Sequence, residues 1–215
     1  MKIKYSIFSE QGRRRSNEDV CRHVAFPDGS ALFVVCDGMG GHYLGDVAAR
    51  IVSDTVCEVW DAQKTGDENV AVSVAAATEK LSAYSKTEMG TTLVLAYIKG
   101  NRVTIANIGD SRCYLLGAGE LLFLTRDHVN DSGFLTNCFM SSHPEAADPT
   151  VLEFTLVPED RIFLCTDGVY KSMSPDILTA RLQDDKPLDE VIDVIKFLCE
   201  KYSDDNYSGI LIEIN

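Results

Sequence analysis

The chain has 215 residues, of which 45% are hydrophobic and 25% charged, and these proportions exclude a disordered or fibrous protein. Its 33 acidic and 20 basic residues leave a net charge of −13, which opposes binding to nucleic-acid phosphates and to anionic membrane surfaces. We therefore expect cations, and neither nucleic acid nor membrane, among its ligands. The length favours a single domain over residues 1–215.

Seven cysteines are spread along the chain without a C-x-x-C pair, which predicts reduced core thiols rather than a disulfide framework or a zinc cluster. The first residues, MKIKYSIFSEQGRRR, contain no apolar leader segment. No apolar run approaches the roughly 20 residues that a membrane helix needs. These features predict a cytoplasmic protein.

The first half of the chain predicts three strands followed by two helices. Alternating apolar residues at Ile3, Tyr5 and Ile7 indicate the first strand. Strands at residues 21–26 and 31–36 flank Pro27-Asp28-Gly29 and are predicted to form a hairpin. Helical spacing of apolar residues then predicts amphipathic helices over residues 46–60 and 69–85.

The second half is richer in strands, and its pattern fixes the fold class. An antiparallel meander is predicted at residues 91–98, 103–107, 113–116 and 121–124, and later strands at 151–157, 161–165 and 209–214. Residues 125–150 have little periodicity and predict a long functional loop. A Ser174-Pro175 helix start and helical spacing over residues 188–198 complete the pattern. Because strands and helices are segregated, we predict an α+β fold with helices covering antiparallel sheets.

Two segments share one construction, in which an apolar strand ending near a cysteine leads into Asp-Gly. FVVCDG contains Asp37 and Gly38, and IFLCTDG contains Asp167 and Gly168. Each puts a carboxylate at a strand end, and the glycine lets the backbone approach a ligand closely. A single Asp-Gly pair most often makes a turn, as we expect for Asp28-Gly29. Its repetition after matched strands indicates a site instead.

Further acidic residues lie at comparable strand ends. These are Asp110 in ANIGDSR, Asp205 before the last strand, and Glu18 and Asp19 in RRRSNED. If they converge in one cleft, their like charges must be compensated, because each raises the pKa of the others. Carboxylate oxygens suit Mg²⁺ or Mn²⁺, whereas the four histidines are too dispersed for a zinc site. Taken singly, each carboxylate in so acidic a chain is more commonly a solvated surface charge.

Seven motifs in order resemble one family. RRRSNED, VVCDGMGGH, MGTTLVLA, ANIGDSRCYLL, LTRDH, IFLCTDGVY and DDNYSGILIEI resemble the metal-dependent serine/threonine protein phosphatases of type 2C, the PPM family, and DGMGGH resembles its bacterial branch. The resemblance implies a four-layer α-β-β-α sandwich with two central antiparallel sheets. It also implies hydrolysis of phosphoserine and phosphothreonine by a hydroxide that two Mn²⁺ or Mg²⁺ ions activate. The expected partners are phosphorylated proteins, opposite a Ser/Thr kinase, and the expected state is a monomer.

The resemblance also implies roles for individual metal-site residues. Asp37 would bridge the two ions, and the Gly38 carbonyl would complete one coordination sphere. Asp167 and Asp205 would hold the other ion. Glu18 and Asp19 would contact the site directly or through water.

Further positions follow from the same resemblance. Arg14 would bind the substrate phosphate, although Arg13 and Arg15 leave the register within RRR open. Asn206 would support the ligands from behind, and Thr91 and Thr92 would do so from a neighbouring strand.

This chain departs from the family pattern in three places. Met39 follows the first Asp-Gly pair, where some relatives carry a general-acid histidine, and we do not assign that role to His42. Only 38 residues separate His128 from Asp167, which predicts a reduced flap around residues 128–150. Lys171 stands where bacterial relatives commonly carry an acidic residue. A third metal at Asp110 is therefore disfavoured, and Lys171 either points into solvent, which we favour, or adds positive charge to the site.

Two alternative functions stay open at the level of sequence. The short flap and Lys171 are compatible with a module that binds phosphoproteins with little or no turnover. A more open cleft is compatible with a metallohydrolase of small phosphoesters.

Overall fold

The computed structural model describes residues 1–39, 44–84 and 88–215. Its strands are β1 (Ile3–Glu10), β2 (Asp19–Ala25), β3 (Ala31–Met39), β4 (Gly90–Thr91), β5 (Leu93–Lys99), β6 (Arg102–Ile108), β7 (Arg112–Gly117), β8 (Glu120–Leu124), β9 (Phe139–Met140), β10 (Thr150–Thr155), β11 (Arg161–Cys165) and β12 (Tyr207–Ile214). Its α-helices are α1 (Gly45–Val59), α2 (Gly66–Tyr84), α3 (Asp167–Tyr170), α4 (Pro175–Leu182) and α5 (Leu188–Tyr202). A 3₁₀ turn lies at Pro144–Ala146.

Two antiparallel sheets form the centre of the molecule. The first has the strand order β1-β12-β11-β7-β8, and the second has the order β10-β6-β5-β3-β4-β9 with β2 also paired to β3. Helices α1 and α2 pack on the outer face of the second sheet, and α3, α4 and α5 pack on the outer face of the first. The predicted four-layer α-β-β-α sandwich is therefore confirmed.

Strand β3 shows how the sequence fills this architecture. Its run of apolar residues is buried on both faces, as expected for a strand between a helical layer and a second sheet. Leu32 and Val34 pack beneath α1 and α2, while Phe33 and Val35 point between the sheets. The β12 isoleucines Ile210 and Ile212 meet them from the other sheet.

The predicted hairpin is confirmed. Strands β2 and β3 pair in register from Ala25 opposite Ala31 to Asp19 opposite Asp37. Gly29 closes the turn at a φ of +84°, which a residue with a side chain rarely adopts. The turn thereby brings two acidic residues side by side at the far end of the strand pair.

The predicted meander is wrong, because β6 and β7 belong to different sheets. Gly109 redirects the chain between them at a φ of +103°, and a side chain there would collide with Thr92. The predicted strand over residues 91–98 is likewise divided into β4 and β5. Ser174 caps α4 by accepting a hydrogen bond from the Ile177 amide, as its Ser-Pro signal predicts.

The remaining predictions are met with smaller changes. Phe8 is the buried residue of β1, whereas Tyr5 and Ile7 are more exposed. Residues 125–149 are largely irregular apart from β9 and the 3₁₀ turn. The last residue of the predicted second helix, Ser85, lies outside the described residues. No helix in the described ranges is both long and apolar enough to cross a membrane.

Candidate metal centre

A cavity of about 450 Å³ opens where the ends of several elements meet. Most of its walls are formed by polar residues that sequence reasoning singled out. Its lining residues are Arg14, Arg15, Ser16, Glu18, Asp37, Gly38, Met39, Asp167, Asp205 and Asn206. Asp19 and Asp110 are nearly buried and act on this group through their charges.

Strand pairing explains why acidic residues so distant in sequence come together. Asp19 faces Asp37 across β2 and β3. On the other sheet, β11 and β12 are neighbours, so Asp167 at the end of one strand lies near Asp205 at the start of the other. The stacking of the two sheets then places these two pairs around one cavity.

Both Asp-Gly glycines are required by close backbone packing. A side chain at Gly38 would collide with the carbonyl oxygen of Gly45, where α1 begins. A side chain at Gly168 would collide with the carbonyl oxygen of Asn206, beside Asp205. The two glycines thus let neighbouring segments approach the carboxylates that precede them.

Burial and neighbouring negative charges both disfavour the ionised form of Asp37. Burial raises its pKa well above the ordinary value, and the charges of nearby carboxylates raise it further. In order of decreasing effect, these carboxylates are Asp19, Asp167, Asp110 and Asp205. An added cation would relieve this repulsion.

The neighbouring acids show the same tendency. Burial raises the pKa of Asp19 to about 7, against the opposing hydrogen bonds of Ser208 and Thr166. Burial also raises the pKa of Glu18, and the charge of Asp46 adds to it. The surroundings of Glu18, Asp19 and Asp37 therefore disfavour the ionised form of each.

Thr91 and Thr92 hold the backbone of Asp37. The Thr91 hydroxyl donates to the Asp37 carbonyl oxygen at 2.8 Å, and the Asp37 amide donates to the Thr92 hydroxyl at 3.0 Å. The Thr92 hydroxyl also lies 2.7 Å from that of Ser111, next to Asp110. The two threonines at the break between β4 and β5 thus hold Asp37 in place.

Asn206 ties the loop before β2 to the start of β12. Its side-chain amide donates to the carbonyl oxygens of Gln11 and Ser16, at 2.6 and 2.8 Å. Its side-chain oxygen accepts from the Glu18 amide at 3.0 Å. Through these bonds Asn206 fixes the loop that carries Arg14 and Glu18.

The RRR segment divides its arginines between the cavity and the outside. Arg14 Nη2 lies 2.6 Å from Asp205 Oδ2 at the cavity, and Arg15 also lines it. Arg13 instead pairs with Asp204 and donates to the Lys201 carbonyl oxygen, away from the cavity lining. The structure therefore excludes Arg13 from the cavity and brings Arg14 to an acidic residue of the cluster.

Lys171 corrects one expectation, because its ammonium group contacts two carboxylates of the cluster although the side chain is largely exposed. Its Nζ atom lies 2.5 Å from Asp167 Oδ2 and 3.6 Å from Asp110 Oδ2. Burial lowers the pKa of Lys171, but the hydrogen bond and charges of Asp167 and Asp110 outweigh it and hold the pKa above its ordinary value. The sequence carried a signal for this pair, since Asp167 and Lys171 have the i,i+4 spacing of one helix face. The short helix α3 that supplies the face was not predicted.

Sequence reasoning also missed Thr166, whose hydroxyl donates to Asp19 Oδ2 at 2.9 Å. Its place between a buried strand and Asp167 was the available signal. Met39, which follows the first Asp-Gly pair, also lines the cavity. His42 lies outside the described residues.

The oxygen donors around the cavity suit a hard divalent cation. Across the described ranges, no group of three or more His, Cys, Asp or Glu side chains is gathered tightly enough to hold an ion. Asp205 and Asp167 direct an oxygen to Arg14 and Lys171 instead. The cavity nevertheless gathers carboxylate oxygens, among them those of Asp37 and Glu18, whose pKa values are raised by burial and by neighbouring charges. Oxygen ligands of this kind are the donor set of Mg²⁺ and Mn²⁺.

Sequence comparison relates the chain to one group of enzymes. The profile of the family described as protein phosphatase 2C matches residues 9–206. The chain is 28% identical to the serine/threonine protein phosphatase PstP of Mycobacterium tuberculosis, over 99% of this chain and 45% of that protein. It is 30% identical to the serine/threonine phosphatase stp of Listeria monocytogenes, over 95% of this chain and 93% of that protein. The chain thus spans a little under half the length of PstP and nearly all of the Listeria relative.

Structural comparison agrees with the sequence match. The crystal structure of the catalytic domain of PstP in complex with two manganese ions aligns with a TM-score of 0.84. The alignment has 28% identity and covers 99% of both chains.

Proposed function

The chain belongs to the protein phosphatase 2C family, and from this premise we propose that it hydrolyses phosphoserine and phosphothreonine in proteins, with two Mn²⁺ or Mg²⁺ ions. One observation carries the proposal. Carboxylates from opposite sheets surround one cavity, where burial and, after it, the charges of neighbouring carboxylates raise the pKa of Asp37 well above its usual range. The two manganese ions of the PstP catalytic domain support the choice of cofactor.

The acidic residues of the cluster and one backbone carbonyl would be the ligands of the two ions. Asp37 would bridge the two ions, with the Gly38 carbonyl oxygen beside it, and Asp167 and Asp205 would hold the second ion. Glu18 and Asp19 would contact the ions directly or through water. When bound, the ions would lower the pKa of a water molecule so that it attacks phosphorus, and would neutralise charge on the phosphoryl oxygens.

Arg14 would bind the substrate phosphate. Its guanidinium group already lies at the cavity and pairs with Asp205. A phosphate offers the same planar group two oxygens, so the arginine can exchange a carboxylate for the substrate without leaving the cavity. Because Met39 cannot donate a proton, water in the open cavity would protonate the leaving alkoxide oxygen and give the free serine or threonine hydroxyl.

The supporting residues act by holding these groups in place. Thr91 and Thr92 fix the backbone of Asp37, and Asn206 fixes the loop of Arg14 and Glu18. Such indirect contacts commonly change metal affinity or activity by about 10–100-fold when removed.

The organisation and setting of the enzyme belong to the same proposal. The cavity draws on residues from Arg14 to Asn206, which supports one catalytic domain over residues 1–215, with a reduced flap around residues 128–150. Seven unpaired cysteines support a reducing compartment such as the cytoplasm. We further propose that the enzyme acts in signalling, on proteins that a Ser/Thr kinase has phosphorylated. We also propose that it is a monomer, and sedimentation would test its oligomeric state.

The decisive experiment measures hydrolysis of a phosphothreonine peptide and of p-nitrophenyl phosphate with and without Mn²⁺. We expect turnover that a chelator abolishes and that Asp37→Asn reduces to background. Asp28→Asn is the matched control, because Asp28 also precedes a glycine but lies in the β2–β3 turn. Equal activity of wild type and Asp37→Asn would refute the proposal.

The same assay separates the two alternatives. Retained binding of the phosphopeptide without turnover would identify a phosphoprotein-binding module. Turnover of the small phosphoester but not of the peptide would identify a small-molecule phosphoesterase. Turnover of both, with preference for the peptide, supports the protein phosphatase.

A further inference from the structure

Lys171 brings a positive charge into the acidic cluster. Its Nζ atom lies 2.5 Å from Asp167 Oδ2 and 3.6 Å from Asp110 Oδ2. The lysine side chain is 58% exposed, whereas those of Asp167 and Asp110 are 17% and 12% exposed. The lysine thus approaches from the solvent side and sets its ammonium group against two nearly buried carboxylates.

The fold holds this arrangement on both sides. Asp167 and Lys171 are four residues apart along α3, the spacing at which helical side chains meet. The neighbouring Tyr170 hydroxyl donates to the Asp110 carbonyl oxygen at 3.0 Å. The Arg112 guanidinium stacks on the Tyr170 ring, 3.5 Å from its centroid. The same turn of chain therefore fixes the lysine and the loop that carries its second partner.

Charge explains why a cation is needed at this point. Asp110 and Asp167 repel one another, and both are largely removed from solvent. An ammonium group has three N–H donors and can serve two carboxylates at once. A divalent ion placed between Asp110 and Asp167 would compete for the same Oδ2 atoms and would be repelled by the lysine.

We infer that the Lys171 ammonium group takes the place between Asp110 and Asp167 that a third divalent ion would occupy, so that the site binds two ions. The inference rests on the proposed two-ion centre. A carboxylate has two oxygens, so Asp167 can bind Lys171 through Oδ2 and still offer Oδ1 to the cavity that it lines. Lys171 is on this account a positioning residue for Asp167 as well as the internal cation of Asp110.

The test counts Mn²⁺ ions bound per chain by equilibrium dialysis, with the full chain and Mn²⁺ alone. Lys171→Asp replaces the cation by a carboxylate, and Lys171→Gln removes the charge at similar length. Lys80→Gln is the matched control, because Lys80 forms a surface ion pair with Glu58 on the helical layer. Circular dichroism of each variant verifies the fold before binding is measured.

We expect two ions for the wild type and for Lys80→Gln, and a third ion for Lys171→Asp. For Lys171→Gln we expect the affinity for a third ion to rise by about tenfold or more over wild type, the size of effect typical of groups next to metal ligands. The glutamine variant decides the matter if the aspartate variant does not fold.

Two results would overturn the inference. One is a third ion in the wild type with an affinity that Lys171→Gln does not change, and the other is two ions in both Lys171 variants. Neither of these results would contradict the proposed function. The proposed function fails if the wild type binds no Mn²⁺ or shows no metal-dependent turnover.

Discussion

The two Asp-Gly pairs occupy equivalent ends of strands in opposite sheets, yet their carboxylates have different neighbours. The charges that act most strongly on Asp37 are those of four other carboxylates. Asp167 instead accepts a hydrogen bond from the Lys171 ammonium group. The same dipeptide thus produces one carboxylate that requires an external cation and one that already has a cation from its own chain.

This difference separates the roles of burial and of pairing. Burying one carboxylate among others is unfavourable unless a cation compensates their charge. A buried group of carboxylates without a cation of its own therefore indicates a cationic ligand. A carboxylate with its own lysine carries no such implication. Asp37 and Asp19, rather than Asp110, are accordingly the strongest evidence in this structure for bound metal.

The largest expected effect comes from exchanging the two aspartates for asparagine. We expect Asp37→Asn and Asp167→Asn each to lower kcat/KM by more than about 100-fold, beyond the range of indirect contacts. In the presence of chelator, Asp37→Asn should raise the melting temperature because it removes a repelled charge. Asp167→Asn should not raise it, because Lys171 loses its partner.

Thermal melts and phosphopeptide kinetics on the same preparations check this pair of outcomes. An equal rise in melting temperature for both variants would show that the ammonium group does not distinguish the two aspartates.

The next effect concerns Arg14, the proposed phosphate-binding residue. Loss of charge-assisted hydrogen bonds worth about 1.5–3 kcal/mol predicts that Arg14→Ala lowers kcat/KM by about 10–100-fold. Arg13→Ala should leave it nearly unchanged, because Arg13 pairs with Asp204 outside the cavity lining. Steady-state kinetics on a phosphothreonine peptide compare the two. If Arg13→Ala lowered kcat/KM more than Arg14→Ala does, Arg13 and not Arg14 would be the residue that contacts the phosphate.

A smaller effect is expected at Asn206, whose side chain hydrogen-bonds to the backbone of the loop before β2. Asn206→Ala removes the acceptor for the Glu18 amide and the donor to Gln11 and Ser16. We expect about a tenfold loss of activity and a destabilisation of about 1–3 kcal/mol. Urea unfolding measures the second quantity. Unchanged unfolding would show that the loop is held without Asn206.

The smallest effect is a pH dependence of the metal-free protein. Burial raises the pKa of Asp19 in the folded state to about 7, above its value in the unfolded chain. The folded state therefore keeps its proton at a pH where the unfolded chain has lost it, and stability falls as pH rises from about 4 through about 7. In chelator, the melting temperature of wild type should drop across this window, and that of Asp19→Asn should drop less. Identical slopes would contradict the raised pKa.

Sequence pattern alone predicts the parts of this molecule in which local rules and tertiary packing agree. Pro27-Asp28-Gly29 between β-rich runs predicts the β2–β3 hairpin, and the structure confirms it. Ser174-Pro175 predicts the start of α4, and the hydroxyl does cap it. In both places short-range chemistry is sufficient to define the geometry.

The remainder depends on contacts that a linear pattern does not contain. In the sequence, the short link at Gly109 looks like an ordinary turn between neighbouring strands. In the structure, the chain passes from one sheet to the other there, so close to Thr92 that a side chain at Gly109 would collide with it. Lys171 is expected in solvent from sequence, and the helix α3 that directs it to Asp167 is a single turn, too short to produce apolar periodicity. The grouping of acidic residues was anticipated from strand ends, but the hydrogen bonds of Asn206 and Thr166 arise from segments nearly the whole chain apart.

Diffraction from crystals grown with Mn²⁺, collected near the manganese absorption edge, tests the central claim most directly. The proposed centre predicts two adjacent anomalous peaks between Asp37, Asp167 and Asp205, with the Lys171 ammonium group and no peak between Asp110 and Asp167. The absence of peaks from the cavity, or manganese bound only elsewhere on this acidic surface, would contradict it.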